Sequence, residues 1–345
     1  MQIIDLVPDL RPTILAAREM RDRRNSLARF MPYASRFTLS YRLGRRKRLD
    51  QTAPVRAFGA PATPIRRPGL LDVRGDLPAI TPIVNFNEVD LNNELILAQQ
   101  LAGQPVDWQP ALTSGAANAA LTIDNTFELM RGQLLSTGIV SLVAEDGATH
   151  SVDFGIPAGQ KITAGAVWNP ASPAAVIASY VAGHKAYQDA AGDNAAIALM
   201  STAARTVLLA AVQTLFPQQP IGLDQMNAYL ANQNAPLPVT YDRKLEAANG
   251  TKTRVLPVGT VVYLPSDSDP VGRTEMGVTQ EAVQQSQRNQ PSGSPALSPA
   301  EVPGVTIVTL GNDDPVERAV KAAVVGLPVL ADTDNIAILS GVVTE

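Results

Sequence analysis

Apolar residues at Ala120, Ile123, Phe127, Met130 and Leu134 follow one another at spacings of 3, 4, 3 and 4. That is one stripe on an α-helix, with Thr122, Asn125, Glu128 and Gln133 lying off it. The helix starts near Ser114 and ends by Gly138, so it is about 35 Å long at 1.5 Å per residue. Beyond it the period changes from helical to alternating. Residues 139–143 and 151–154 flank Glu145-Asp146-Gly147, and Asp-Gly is a strong hairpin signal. Ser172-Pro173 caps a helix running to about Ala190. Residues 195–200 are a short apolar strand, Ser201 caps a helix through Phe216 that Pro217 stops, and residues 223–230 are a short helix. Residues 239–241, 253–256 and 261–264 read as strands, with the Asn249-Gly250 turn between the first two. Residues 305–310, 329–330 and 336–343 read as closing strands. Residues 315–325 between them read as a helix, with Asn312 and Asp313 before Pro315 as its N-cap. No internal repeat is present.

The first 80 residues have a different character. In residues 1–35, Leu10, Ile14 and Leu15 precede the charged run Arg18, Glu19, Arg21, Asp22, Arg23, Arg24, which suits one short helix over about 12–30. Residues 37–41 alternate like a strand, the basic run Arg42, Arg45, Arg46, Lys47, Arg48 follows, and residues 55–58 suit a returning strand. Pro54, Pro61, Pro64 and Pro68 punctuate the rest. So long a stretch with so little core material does not fit a loop inside a compact domain. It reads as an extension that finds its partners on a neighbouring subunit. From residue 81 the chain becomes globular, with Asp90 capping a helix over 91–101 that Gly103 closes. Residues 266–303 hold Pro270, Pro291, Pro295 and Pro299 among Ser, Gln and Gly, a long surface connection with a short helix at 280–287.

Charge sharpens this division. The chain has 345 residues and a formal net charge of −4. Residues 1–75 hold 16 Lys and Arg against 6 Asp and Glu, a net of +10; the remainder holds 12 against 26, a net of −14. A basic arm on an acidic body calls for an anionic partner, either nucleic acid or the acidic body of another copy. Charged residues are only 17% of the chain, against about 25% in typical soluble domains, which suits a surface covered by partners. Length alone suggests about two domains. Cysteine is absent and histidine occurs twice, which excludes disulfides, thiolate metal sites, cysteine nucleophiles and poly-histidine metal sites. No run of about 18 apolar residues offers a membrane span, and residues 1–10 do not resemble a signal peptide.

No catalytic constellation stands out, so the reading is that the chain is not an enzyme and takes no cofactor or metal. His150 sits in the hairpin and His184 on the 173–190 helix near Lys185, and each reads as an ordinary surface histidine rather than a catalytic base. There is no nucleophile elbow and no phosphate-binding Gly-rich loop. The pairs Asp267/Asp269, Asp313/Asp314 and Asp332/Asp334 lack the glycine and terminal glutamate of a calcium loop and read as turns. The run Arg45 to Arg48 has no interleaved aromatics, so it reads as an inter-subunit strap rather than a nucleic-acid patch.

The order of elements resembles the major capsid protein E family of tailed phages, the lambda type, with the α+β Hong Kong 97-type capsid fold. Residues 127–135 leading to 152–155 resemble the end of that family's spine helix and its hairpin. Residues 239–243, Asn249-Gly250 and 255–265 resemble strands of its A domain. Asp313-Asp314-Pro315-Val316-Glu317, then residues 326–332 and 336–343, resemble its closing segment. The resemblance implies an N-terminal arm at 1–35, an E-loop at 36–80, a P domain with the spine helix at 81–168, an A domain with the long surface connection at 169–304, and a return to the P domain at 305–345. It implies a shell subunit that assembles with itself into hexamers and pentamers of an icosahedral head around double-stranded DNA. Scaffold, portal and decoration proteins would be its further partners. Assembly would take place in the host cytoplasm, and the virion capsid would be its final location. Intersubunit contacts would fall on Arg42, Arg45, Arg46, Lys47 and Arg48 of the E-loop and on Arg21, Arg23 and Arg24 of the arm. Two rivals remain at this point: an encapsulin-like compartment shell, and a basic-armed nucleic-acid-binding protein that builds no shell.

Overall fold

A computed structural model describes residues 2–3, 25–36, 38–46, 70–87, 89–90, 93, 109–143, 149–246, 250–289, 304–313 and 316–344. In chain order the strands and helices begin with β1 (Gln2–Ile3), β2 (Tyr33–Ser35), β3 (Ser40–Arg46), β4 (Leu70–Asp76), β5 (Ala79–Ile80) and β6 (Ile83–Phe86). Then come α1 (Gln109–Thr137), β7 (Ile139–Val143), β8 (Thr149–Asp153), β9 (Lys161–Thr163), α2 (Pro173–Ala191), β10 (Ile197–Met200) and α3 (Thr202–Leu215). They continue with α4 (Leu223–Asn232), β11 (Leu237–Thr240), β12 (Lys244–Glu246), β13 (Lys252–Arg254), β14 (Thr260–Leu264) and β15 (Gly272–Gly277). The last are α5 (Gln280–Asn289), β16 (Thr306–Asp313), β17 (Val316–Leu330) and β18 (Ala337–Ser340). Of the helix read at 91–101 only residue 93 is described, as helical; most of the helix read over 12–30, and the strand at 55–58, lie outside the described residues.

The chain forms two compact units. The first comprises residues 1–41, 76–130 and 274–328; the second comprises 42–75, 131–273 and 329–345. These bounds do not follow the segments marked in the sequence: residues 42–75 and 131–168 fall in the second unit, residues 274–304 fall in the first, and residues 305–345 divide after Pro328.

The first unit is built on a sheet of order β1-β16-β17-β15-β2, with β5 and β6 also pairing β17. The long β17 is the centre of this sheet. It pairs antiparallel with β16 over eight residues, from Thr306↔Ala323 to Asp313↔Val316, and with β6 from Arg318↔Phe86 to Lys321↔Ile83. Residues 316–325 are therefore strand, not helix. The reason is visible in burial: Ala319, Val320, Ala322, Ala323 and Val324 are all fully covered. An apolar run buried on both faces loses its two-residue alternation and imitates a helix. Asn312 and Asp313 accordingly end β16 and do not cap a helix.

The N-terminal part of α1 packs on the first unit's own residues. Leu112 and Ala116 meet Val320, with Phe86 and Ile307 beside them. Two glycines permit this closeness. A Cβ on Gly115 would lie 2.9 Å from the Phe86 ring, and one on Gly326 would lie 2.9 Å from the Phe127 ring. The expected stripe of Ala120, Ile123, Phe127, Met130 and Leu134 is buried throughout. The helix runs 29 residues, about 44 Å, and begins earlier than Ser114 because Pro110 is tolerated in a first turn.

In the second unit a five-stranded sheet has the order β11-β10-β14-β18-β9. β10 runs parallel to β11 and antiparallel to β14, and β18 runs antiparallel to β14 and parallel to β9. α2 packs on β18 and β14, α3 on α2 and β11, and α4 on α3 and β11. The helix-to-sheet approach is tight at Gly183, where a Cβ would stand 2.4 Å from the Tyr263 ring. Tyr263 donates its hydroxyl to the Tyr180 carbonyl at 2.7 Å, and Tyr180 donates to the Pro236 carbonyl at 2.7 Å. β7 and β8 form the hairpin expected after the long helix, with Ile139↔Asp153 as its first pair. Both edges of the five-stranded sheet are blunted against further pairing. β11 carries Pro238, which has no N–H to give, and β9 is only three residues long and begins with an exposed lysine.

Candidate assembly site

Residues 25–36, the inner end of the segment read as an arm, are part of the core of the first unit. Leu27, Phe30 and Met31 are completely covered. Three buried carboxylates receive this segment. The Leu27 N–H donates to Glu128 Oε1 at 2.9 Å, and the Tyr33 hydroxyl donates to Asp124 Oδ1 at 2.9 Å. Arg36 Nη2 lies 2.8 Å from Glu275 Oε1, and the Glu275 side chain is fully covered. Asn25 Nδ2 donates to Asn125 Oδ1 at 3.2 Å, and the Tyr33 and Phe127 rings meet edge-on at 6.1 Å. β2 then adds to the sheet parallel to β15, from Tyr33↔Thr274 to Ser35↔Met276. The Thr274 hydroxyl donates to the Met31 carbonyl at 3.0 Å.

β15 lies within residues 266–303, where sequence suggested only a surface connection. Its composition, Gly-Arg-Thr-Glu-Met-Gly, has one apolar residue and no period. It is nonetheless buried, because its Thr274 and Glu275 are met by Met31 and Arg36. The helix read at 280–287 is present as α5.

The base of the next segment is clamped to the same sheet. The Arg36 N–H donates to the Met276 carbonyl at 2.7 Å, and the Leu77 N–H donates to the Leu39 carbonyl at 2.8 Å. Gly277 lies under this point, where a Cβ would be 3.2 Å from the Thr38 carbonyl oxygen. Out of this base comes a two-stranded ribbon of β3 and β4, separate from both larger sheets. Arg42, Arg45 and Arg46 lie on β3. Its first strand is 40–46, where sequence read 37–41, and its second is 70–76, while the strand read at 55–58 lies outside the described residues. Lys47, Arg48, Arg21, Arg23 and Arg24 lie outside the described residues.

The other polar features are accounted for locally. His184 is buried, its Nε2 accepts the Ala195 N–H at 3.3 Å, and burial holds its pKa below the ordinary histidine value. Burial pushes the Asp242 carboxyl up, but hydrogen bonds from Thr202 and Arg254 outweigh it and hold the group below the usual carboxylate range. This carboxylate serves the first turn of α3, where Ser201 Oγ also accepts the Ala204 N–H at 3.1 Å. Asp332 accepts from the Asp334 N–H and from Asn335 Nδ2, each at 3.0 Å, as a turn does. Glu281 meets Lys321 at 2.7 Å and ties α5 to β17. Among the described residues no group of three or more His, Asp or Glu gathers as metal ligands would.

Comparison with known proteins places this geometry. A family model described as phage major capsid protein E matches residues 38–338. No curated protein matches the chain. Among solved structures, the capsid protein of a prophage of Escherichia coli CFT073 is 14% identical with a TM-score of 0.59, covering 99% of both chains. A phage-related protein from Bordetella bronchiseptica RB50 is 14% identical with a TM-score of 0.55, covering 99% of this chain and 98% of that one. The capsid of cyanophage A-1(L) is 11% identical with a TM-score of 0.53, covering 93% of each. The fold is that of Hong Kong 97-type phage capsid proteins.

Proposed function

The chain belongs to the phage major capsid protein E family and is a structural, self-associating shell protein of the virion rather than an enzyme; from that premise we propose how it builds the shell. Copies assemble in the host cytoplasm into hexamers and pentamers of an icosahedral head that encloses double-stranded DNA. Scaffold, portal and decoration proteins are further partners. The segment 1–35 is the arm and 36–80 the E-loop. The long helix α1 is the spine of the P domain, and the five-stranded unit is the A domain.

The observation that carries this reading is the ribbon of β3 and β4. It leaves a base clamped by Leu39, Leu77 and Gly277, and its first strand holds Arg42, Arg45 and Arg46. Its charge suits a neighbour and not only DNA. Residues 76–130 and 274–328 of the first unit hold 3 Lys and Arg against 13 Asp and Glu, a net of −10. The segment 1–75 carries +10. Arg42, Arg45, Arg46, Lys47 and Arg48, with Arg21, Arg23 and Arg24 of the arm, are the contacts proposed between subunits.

Negative-stain electron microscopy tests this reading. Wild-type chains, alone or with their phage neighbours, should give uniform shells or rings. A chain carrying Arg45→Glu, Arg46→Glu and Arg48→Glu should fold as monomer or capsomer and build no stable shell. Normal shells from that variant would sink the strap.

A further inference from the structure

His184 is one of two histidines in the chain and is 3% exposed. It lies in the second half of α2, and its Nε2 accepts the N–H of Ala195 at 3.3 Å, across the connection to β10. We propose that this pair is an acid-released latch: protonation of the buried imidazole turns its acceptor nitrogen into a donor, and the connection between Gly192 and Ala196 opens. The inference concerns the five-stranded unit alone and stands apart from the shell reading.

Three observations carry it. First, the two groups of the latch are covered together. Ala195 is buried, so water does not readily replace the imidazole as partner of its N–H. A ring nitrogen that accepts must be unprotonated, whereas the imidazolium carries N–H groups at both nitrogens. Two donors would then face each other, and a covered N–H would be left without an acceptor, which is costly. Second, the rest of the connection is held lightly. Gly192 turns the chain out of α2 at φ +73°, with its N–H on the Gln188 carbonyl at 2.8 Å. Asn194 Oδ1 accepts from Gln188 Nε2 at the surface. Firm pairing resumes at Ala196, whose N–H donates to the Leu264 carbonyl at 3.0 Å. Ala191 and Ala195 belong to the core of this unit together with Tyr187, so opening the connection uncovers a corner of that core. Third, among the described residues the packed elements bring no carboxylate to receive the added charge. α3, β14, β18 and the turn at 158–160 pack on α2. Of these, β14 carries only Tyr263 and α3 only Arg205, while β18 and the turn carry no titratable group. On α2 and the connection, Tyr180 and Tyr187 are buried, and Lys185, Asp189 and Asp193 are exposed. Lys185 and Asp189 share a groove with Asp334.

Burial holds the His184 pKa below the ordinary histidine value. The unfolded chain therefore takes up this proton near pH 6.5 and the folded chain only at lower pH. The latch contributes fully above about pH 6.5, and its contribution is lost as pH falls below that value.

Hydrogen exchange of the dispersed, full-length wild-type chain tests the latch. Protection of the Ala195 amide, corrected for the intrinsic pH dependence of exchange, should fall about tenfold or more between about pH 7 and pH 5. The Ala204 amide, which donates to Ser201 Oγ in α3, should keep its protection. The imidazole signal that survives in His150→Gln is that of His184, and it should protonate below the ordinary histidine value as Ala195 loses protection. His184→Gln keeps an oxygen that can accept and has no proton to gain, so its urea midpoint should fall less than the wild type's over the same pH range. Ala195 protection that does not change with pH would overturn the latch. So would a His184 signal that protonates at or above the ordinary value, or wild-type and His184→Gln midpoints that fall in parallel. The exchange experiment uses the wild-type chain, so it decides the matter even where a variant fails to fold.

Discussion

Glu128 lies beside the apolar stripe of α1, on a face that periodicity alone leaves to water. Its carboxylate is nevertheless completely covered, because the arm root closes over it and presents the Leu27 N–H. An acceptor of this kind matters most when it is removed. In Glu128→Ala the buried N–H loses its partner, and the cost is about 1–3 kcal/mol. Glu128→Gln keeps an acceptor oxygen and should cost less. Urea unfolding of the dispersed chain measures both, and equal stabilities would refute the role given to the carboxylate. Sequence gave no sign of this. Asp124 and Glu128 are four residues apart, which is helical spacing, but Tyr33 and Leu27 come from about a hundred residues away. Nothing in a local pattern shows that a polar face will be roofed by a distant segment. The place of His184 on α2 was legible, but its burial was not: it reads as a surface histidine and is covered.

Elements were legible where one face is wet. α1, α2, α3 and the β7–β8 hairpin carry alternation or a stripe that shows their type, and each stands near its expected place. The misreadings are strands buried on both sides or satisfied by polar contacts. β17 lost its alternation through Ala and Val on both faces. β15 has two glycines, a threonine and a glutamate, and takes its burial from the arm root. Between elements, glycine sets how closely a helix approaches. Gly183→Ala would drive a methyl into the Tyr263 ring, which is itself held by its hydrogen bond to the Tyr180 carbonyl. The expected cost is about 1–3 kcal/mol, because an overpacked core must shift. A melting temperature of Gly183→Ala equal to wild type would show that α2 can move away freely.

For the whole molecule, charge decides what the extensions prefer. The strap reading sets a +10 segment against bodies of opposite sign on neighbours. Each exposed ion pair gives only about 0.2–1 kcal/mol, but a closed shell repeats it at every interface. Shells should therefore loosen as ionic strength rises from about 0.15 M toward 1 M, where the screening length falls from about 8 to 3 Å. Light scattering across a salt series would follow this, and shells indifferent to salt would argue for contacts that are chiefly apolar. The sign of the charge asymmetry was legible in the sequence. The clamped base of the ribbon was not, since it depends on Gly277, Leu39 and Leu77 meeting from distant parts of the chain.

β18 bears on how the chain is made. It sits between β14 and β9, and among the described residues β9 has no other neighbour in that sheet. β9 (Lys161–Thr163) leaves the ribosome well before β18 (Ala337–Ser340), so β9 must wait before it can be paired. The first unit waits too, since α1 emerges well before β16 and β17. Domains usually fold in order of synthesis. Here neither unit closes until nearly all of its residues have left the ribosome. A chain lacking β18 would leave β9 unpaired and one edge of β14 open, with β10 still on the other edge.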